Sequence, residues 1–321
     1  MDRRQFLRGA AAGSLALATQ PRALAARLGG TPVAYITADL ESHVVVLDLE
    51  TMRVRERIAT GPGPRSIESI HDWMAVVAHT EHGVVTVLDA ATSGIRTELD
   101  DFAAPRYTAV HPRHPVAYVT DSTNEEIAVV NAKSGRMLWR TQVPGPARHI
   151  SISRDGRTIW TALGTKAARI AVLDTSELRR PQLSRTFAPP FLAHDIVFAP
   201  DGRTVWVTSG AEHRLALYDR DRSPRRVLPA GAPPQHVTFA RDKAFVASGD
   251  DGTVDRRRLD GELVRETRVP VGSYNVTFGW DRIVSPSLGR GTVTVLDRNG
   301  RVRGVRKIAG AAHDACIVFG P

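Results

Sequence analysis

Histidine is the side chain in this sequence best placed to do chemistry. Polar pairs recur about every forty residues: Arg65-Ser66, Arg106-Tyr107, Arg148-His149, His194-Asp195, Gln235-His236, Tyr274-Asn275 and His313-Asp314. Four pairs contain histidine, and Ala-His-Asp occurs twice, at Ala193-His194-Asp195 and Ala312-His313-Asp314. If one fold brought His149, His194, His236 and His313 to a common axis, neutral imidazoles could hold a copper or zinc ion, with a neighbouring aspartate fixing the ring tautomer. An ordinary imidazole site of that kind loses affinity as pH falls through ~6.5. Equally, these side chains could bond only water and loop backbone. No His-x-x-x-His motif selects the metal, and His79-x-x-His82 is too short a signal alone. Arg65, Arg106 and Arg148 come from three successive repeats and offer another chemistry, bidentate capture of an anion, or simple pairing with nearby acids. All the paired residues except Ser66, Gln235 and Asn275 form the candidate ligand-binding set.

Other chemistry is poorly represented. The sequence has no Gly-x-Ser-x-Gly elbow, no phosphate-binding Gly-x-x-x-x-Gly-Lys loop and no haem-attachment Cys-x-x-Cys-His. Asp100-Asp101 and Asp250-Asp251 are paired acids, but aspartate is favoured in turns for backbone reasons. Cys316 is the only cysteine; it excludes an intramolecular disulfide and, set in an apolar run, reads as a buried, inert thiol.

The elements that must position these residues are short strands. Over 204–242 four runs alternate with turn signals, at 205–208, 215–219, 225–228 and 236–239, and predict one four-stranded antiparallel sheet. Counterparts of the first run recur seven times: Ala34-Tyr35-Ile36-Thr37, Ala75-Val76-Val77-Ala78, Ala117-Tyr118-Val119-Thr120, Ile159-Trp160-Thr161, Val205-Trp206-Val207-Thr208, Ala244-Phe245-Val246-Ala247 and Ile283-Val284-Ser285. The next run closes on Asp48, Asp89, Asn131, Asp174, Asp219 or Asp297, short polar side chains able to start a turn by bonding backbone two residues on. In the sixth unit Val254-Asp255-Arg256-Arg257-Arg258 breaks the apolar alternation, which predicts the weakest sheet there; Arg256-Arg257-Arg258 and Arg179-Arg180 are expected on solvated faces. These spacings specify an all-β fold, a seven-bladed propeller of four-stranded blades. The run 315–319 should complete the N-terminal blade and close the ring. In such a disc the polar pairs ring one mouth of the central channel. His43, His79, His82 and His213 map to the same face, leaving His71, His111 and His114 elsewhere.

The repeat Ala-Tyr-Val-Thr followed by Val-x-Val-Leu-Asp, with the turns Arg154-Asp155-Gly156-Arg157 and Ala199-Pro200-Asp201-Gly202-Arg203, resembles the YVTN-type repeat of bacterial seven-bladed β-propellers. That resemblance implies the architecture over nearly the whole chain. It implies no single function, because such propellers serve as binding scaffolds, lactonases and redox-enzyme subunits.

The N-terminal Asp2-Arg3-Arg4-Gln5-Phe6-Leu7-Arg8, an apolar segment over 9–18 and Ala23-Leu24-Ala25 together resemble a twin-arginine export signal with its cleavage site. The reading is therefore a signal peptide over 1–25 and one propeller domain over 26–321, working in the periplasm or outside the cell. No apolar stretch approaches the ~20 residues of a membrane span. Of the 321 residues 42% are hydrophobic, enough for a large core, and the net charge is +9. That charge is nearly all arginine, spread over every repeat without one patch, which argues against a nucleic-acid partner. Two function classes stay open. One is an exported scaffold that binds a small-molecule ligand or protein partner on its histidine-rich face. The other is an enzyme using that face, either a metal-dependent lyase or lactonase or a copper- or haem-associated oxidoreductase subunit.

Overall fold

The computed structural model describes residues 30–220 and 224–320, so the export signal expected over 1–25 lies outside the described residues. Among the described residues there is no helix; all regular structure is strand, arranged as seven antiparallel four-stranded sheets. Their inner strands are Ala315–Gly320 in blade 1, Ser66–Ile70 in blade 2, Pro105–Val110 in blade 3, Ala147–Ile152 in blade 4, Ala193–Phe198 in blade 5, Val237–Ala240 in blade 6 and Thr277–Gly279 in blade 7. Each inner strand contacts the next around a closed circle. This is a seven-bladed β-propeller. Blade 1 is closed as expected: Ala315–Gly320 pairs antiparallel with Thr31–Ala38, with Ala34 opposite Ile317. The N-terminal strand is thereby left without a free edge.

The core lies between blades. The two middle strands of each sheet are buried on both faces, as in Met74–His79 and Val84–Asp89, whereas outer strands such as Gln182–Phe187 are largely exposed. Trp160 and Val172 of blade 4 pack against Ile196, Phe198 and Tyr218 of blade 5. Ala34, Ile36 and Leu47 of blade 1 pack against Val284, Val293 and Val295 of blade 7. A buried aliphatic or aromatic side chain contributes about 1.5–3 kcal/mol, so every blade is held mainly by its neighbours.

Two expectations are corrected. The run at 236–239 does not join the sheet of 205–208; Val237–Ala240 pairs with Lys243–Ser248 in the next blade. The fourth strand of a meander ends at the rim of the disc, so the chain that returns to the axis has to begin a new sheet. The sequence repeat is consequently one strand out of phase with the blade. The second correction concerns the arginine run of blade 6, whose four strands are all present. Its missing alternation reflects a buried ion pair, Arg257 Nη2 to Asp255 Oδ2 at 2.9 Å, with Arg257 Nη1 also donating to the Gly261 carbonyl. Arg257 is buried, contrary to the solvated face expected for it, while Arg258, Arg179 and Arg180 are exposed.

Turn chemistry agrees with the sequence. Asp48 Oδ1 accepts from the Glu50 and Thr51 N–H groups, and Asp89, Asp174 and Asp297 accept likewise two residues on. In Arg154-Asp155-Gly156-Arg157, Asp155 Oδ1 accepts from Arg157 N, and Gly156 takes φ 74° where an added Cβ would lie 2.3 Å from His111 Nε2. Glycine is required there both for the left-handed backbone and for space.

Candidate metal centre

The side chains at the channel mouth are aimed by breaks in the strand ladder. Pairing between inner and second strands shifts at Pro105/Thr108, Ala147/Ile150 and Ala193/Ile196. Arg106-Tyr107, Arg148-His149 and His194-Asp195 are thus freed from the ladder and bulge toward the axis. Hydroxyls of the second strands take up the backbone groups left over. Thr161 donates to the His149 carbonyl at 3.0 Å, and Thr120 accepts from Tyr107 N at 3.1 Å. Thr208 accepts from Asp195 N at 2.9 Å and donates to the Gln235 carbonyl of the next blade at 2.7 Å. The threonine of the recurring Tyr-Val-Thr run therefore shapes the mouth.

Three of the four expected histidines meet. Ligating nitrogens of His149, His194 and His236, from blades 4, 5 and 6, all lie within 4.8 Å of one another. Ring centroids are 4.2 Å apart for His149 and His194, 4.9 Å for His149 and His236, and 5.4 Å for His194 and His236. Tyr107 stacks on His149 with ring centroids 3.6 Å apart and covers one face of that ring. His149 is 2% exposed, and neither of its ring nitrogens has a hydrogen-bond partner. Burial drives all three imidazoles toward the neutral form: His149 and His236 titrate well below the usual range and His194 at about 3. Crowding by the other imidazoles lowers His149 and His236 further, and the Arg148 charge lowers His149 and His194. Neutral rings with available lone pairs are what a transition metal requires.

The remaining mouth residues are otherwise engaged. His313 does not join the cluster; its Nδ1 bonds Asp39 Oδ2 at 2.9 Å. Asp195 does not orient an imidazole, because its Oδ2 is 3.6 Å from His236 Nδ1, beyond hydrogen-bond range. Its oxygens accept instead from its own blade, at Ile196 N, and from the next, at Val237 N. Asp314 does the same with Ala315 N and Ile67 N. Tyr274 donates to Asp250 Oδ1 at 2.7 Å. Among the other histidines assigned to this face, His79 is buried, with both nitrogens bonded, to the Pro62 carbonyl and Thr86 Oγ1. His82 and His213 face solvent, and His43 bonds the Glu41 carbonyl.

Below the cluster a cavity of about 440 Å³ runs along the axis, lined near the mouth by His149, Asp195, His236 and Asp314 and toward the opposite side by His71 and His111. Glu68 lines this cavity and was not singled out from the sequence. Its signal is an acid two residues past the polar pair, where Ser151, Val197 and Thr238 stand in other blades. Glu68 reaches channel water yet is enclosed by protein, and burial, then Asp314 and Asp195, raise its carboxyl to about 8. Burial likewise raises Asp195 to about 7 and Asp314 to about 6, although backbone N–H bonds oppose the shift in both. Cys316 is buried beside this acidic group, and burial pushes its thiol well up, so it is not a nucleophile.

The donor set fits a metal ion. Zinc holds imidazole nitrogens at about 2.0–2.1 Å in tetrahedral geometry, placing them about 3.3 Å from each other. Small rotations of three rings already within 4.8 Å supply that approach. Three imidazoles leave a fourth position for another ligand.

A scan against protein-family models finds no match, and a search of curated proteins by sequence finds none. Solved structures do match. A functionally unknown protein from Desulfotomaculum acetoxidans is 13% identical with a TM-score of 0.77, over 91% of this chain and 100% of that one. Hydrazine synthase from Kuenenia stuttgartiensis is 16% identical with a TM-score of 0.73, over 83% of this chain and 92% of that one. The apo form of AztD from Citrobacter koseri is 13% identical with a TM-score of 0.70, over 91% and 99%. At such identities the likeness is one of fold, and that fold is the seven-bladed β-propeller.

Proposed function

We propose that this chain is a binding propeller whose channel mouth takes one transition-metal ion, zinc or copper, on the imidazoles of His149, His194 and His236. One observation carries the reading: the buried His149 ring has two nitrogens without a partner, within reach of two further neutral imidazoles. A buried polar group left unbonded costs about 1–3 kcal/mol, and a metal relieves that cost here. Bound metal would supply Lewis acidity at its open position. The chain's own residues hold the ion, exclude water from one side through the Tyr107 stack, and keep the ligands deprotonated.

The test is zinc titration of metal-free protein against a chromophoric chelator, with His194→Ala alongside. One ion per chain is expected in the parent, and an affinity at least about 100-fold weaker in the variant, since even outer partners of metal ligands contribute 10–100-fold. Because the imidazoles are already neutral, parent affinity should hold as pH falls through ~6.5, unlike a site of ordinary histidines. A parent that takes up no zinc at micromolar concentration, or a variant that binds as tightly, removes the reading.

A further inference from the structure

Next to the imidazoles stands a second set of side chains that the metal does not use. Arg65, Arg106 and Arg148 occupy the mouths of blades 2, 3 and 4, so the arginine arc overlaps the imidazole arc at the adjacent residues Arg148 and His149. Arg106 donates its Nε–H to Ser122 Oγ at 2.9 Å, and Arg148 bonds the Thr165 carbonyl. Arg65 Nε is buried without a partner. Among the described residues none of the three is paired with a carboxylate. They also feel one another: burial, then Arg148 and Arg65, lower the Arg106 guanidinium from its usual value. Their charges reach the cluster, Arg148 and Arg106 acting on His149 and Arg148 and Arg65 on His194. Asp195 and Asp314, the acids at the mouth, give their oxygens to backbone N–H groups and form no ion pair with these arginines.

Three uncompensated guanidiniums beside a cation site are unfavourable until an anion arrives. Water at the metal's fourth position would leave them uncompensated; a bound anion would satisfy both. Resting on the metal reading above, we propose that the fourth ligand is an anionic oxygen of a small carboxylate or oxyanion clamped by Arg65, Arg106 and Arg148. The mouth then takes metal and anion together, metal on blades 4 to 6 and anion on blades 2 to 4. Blade 4 contributes to both through Arg148 and His149.

Cobalt(II) replaces the metal and reports its ligands by visible absorption. The metal-free protein is loaded with Co²⁺, and acetate or sulfate is then titrated in, one as the carboxylate probe and one as the tetrahedral oxyanion. A saturable change of the cobalt bands with either is expected, the more effective probe naming the class. In Arg65→Gln/Arg106→Gln, Co²⁺ uptake should remain while half-saturation by the anion rises at least about tenfold, as loss of charge-assisted bonds requires. Arg65→Gln alone, which removes no bond made within the protein, covers the case in which the double variant folds poorly. Bands that ignore both anions, or variants that bind anion as the parent does, overturn the proposal. Absence of imidazole-ligated cobalt bands before any anion is added marks failure of the metal reading itself, and the proposal falls with it.

Discussion

The two Ala-His-Asp tripeptides occupy equivalent places in blades 5 and 1 and differ in what becomes of the histidine and in the strand that follows. The aspartates behave alike. Asp195 and Asp314 each cap the following N–H and reach the inner strand of the next blade, at Val237 and Ile67. The hydroxyls behind them also match: Thr208 and Thr37 accept from the aspartate N–H and donate to the next blade's carbonyl, at Gln235 and Arg65. The histidines diverge. His194 stays in the cluster, whereas His313 bonds Asp39. Asp39 stands two residues after Thr37, and the residue two after Thr208 is Gly210. One motif therefore does two jobs. Its aspartate fastens blade to blade wherever it occurs, and the loop residue opposite decides whether its histidine is left for a ligand.

The largest difference between the two motifs lies in the strands they introduce. Asp195 leads into a strand in mid-chain, while Asp314 leads into the strand that closes the ring. Deleting residues 315–321 removes the buried Cys316, Ile317, Val318 and Phe319. At about 1.5–3 kcal/mol for each large apolar side chain, against a total stability of about 5–15 kcal/mol, the truncated chain should lose its cooperative melt. Exposure of the Thr31–Ala38 edge should also promote aggregation. Calorimetry decides this, and a transition at the parent temperature would show that closure is dispensable.

Exchange of the loop residue comes next in size. A Cβ on Gly210 would meet nothing closer than 3.7 Å, its neighbours being His194 Cβ and the Leu192 and Ala193 carbonyls, and the backbone there is not left-handed. Gly210→Asp is thus sterically tolerated and places a carboxylate beside His194. An opposite charge at that range raises an imidazole by about 1–3 pH units, so His194 should titrate clearly above its present value of about 3. Proton NMR of the histidine ring tracks it directly. If His194 titrates in Gly210→Asp as in the parent, the loop residue does not govern the histidine.

The fold was legible in the sequence because propeller blades repeat. Tyr-Val-Thr runs and terminal aspartates recur where strands and turns recur, each with a local physical cause. Blade phase was not, since the strand at 237–240 has the same local pattern whichever sheet it joins. The site was half legible. Equivalent positions in a ring must converge, which brought His149, His194 and His236 together. The fate of His313 depends on Asp39, which lies 274 residues away and becomes its neighbour only through closure. Arg257 was misread for a similar reason: an arginine run looks solvated until its partner, Asp255, is seen buried beside it. Glu68 is less legible, because a lone acid in a five-residue inner strand stands out only once the blades are set in register and Ser151, Val197 and Thr238 fall at its position.

The smallest expected effect belongs to Glu68 and extends the comparison to the third carboxyl of the channel. Asp195 and Asp314 are tied to the next blade, but the backbone N–H that bonds Glu68 is that of its own neighbour Ser69. Its carboxyl is raised from an ordinary 4.5 to about 8, burial being the main cause. Between those values the folded chain holds a proton that the unfolded chain has released. Its contribution to stability is therefore complete below pH about 4.5, declines as pH rises, and is gone above about 8. Asp195 and Asp314 act in the same direction, with declines centred lower, through about pH 7 and 6. Comparison of a Glu68 variant with its parent separates the Glu68 share from theirs. Glu68→Gln keeps the shape and removes the titration, so the variant should match its parent near pH 4 and exceed it near pH 8.5. Access to channel water keeps the difference modest. Urea unfolding at intervals between these limits measures it, and parent and variant curves that run parallel throughout would mean that Glu68 is ionised in the folded channel at neutral pH.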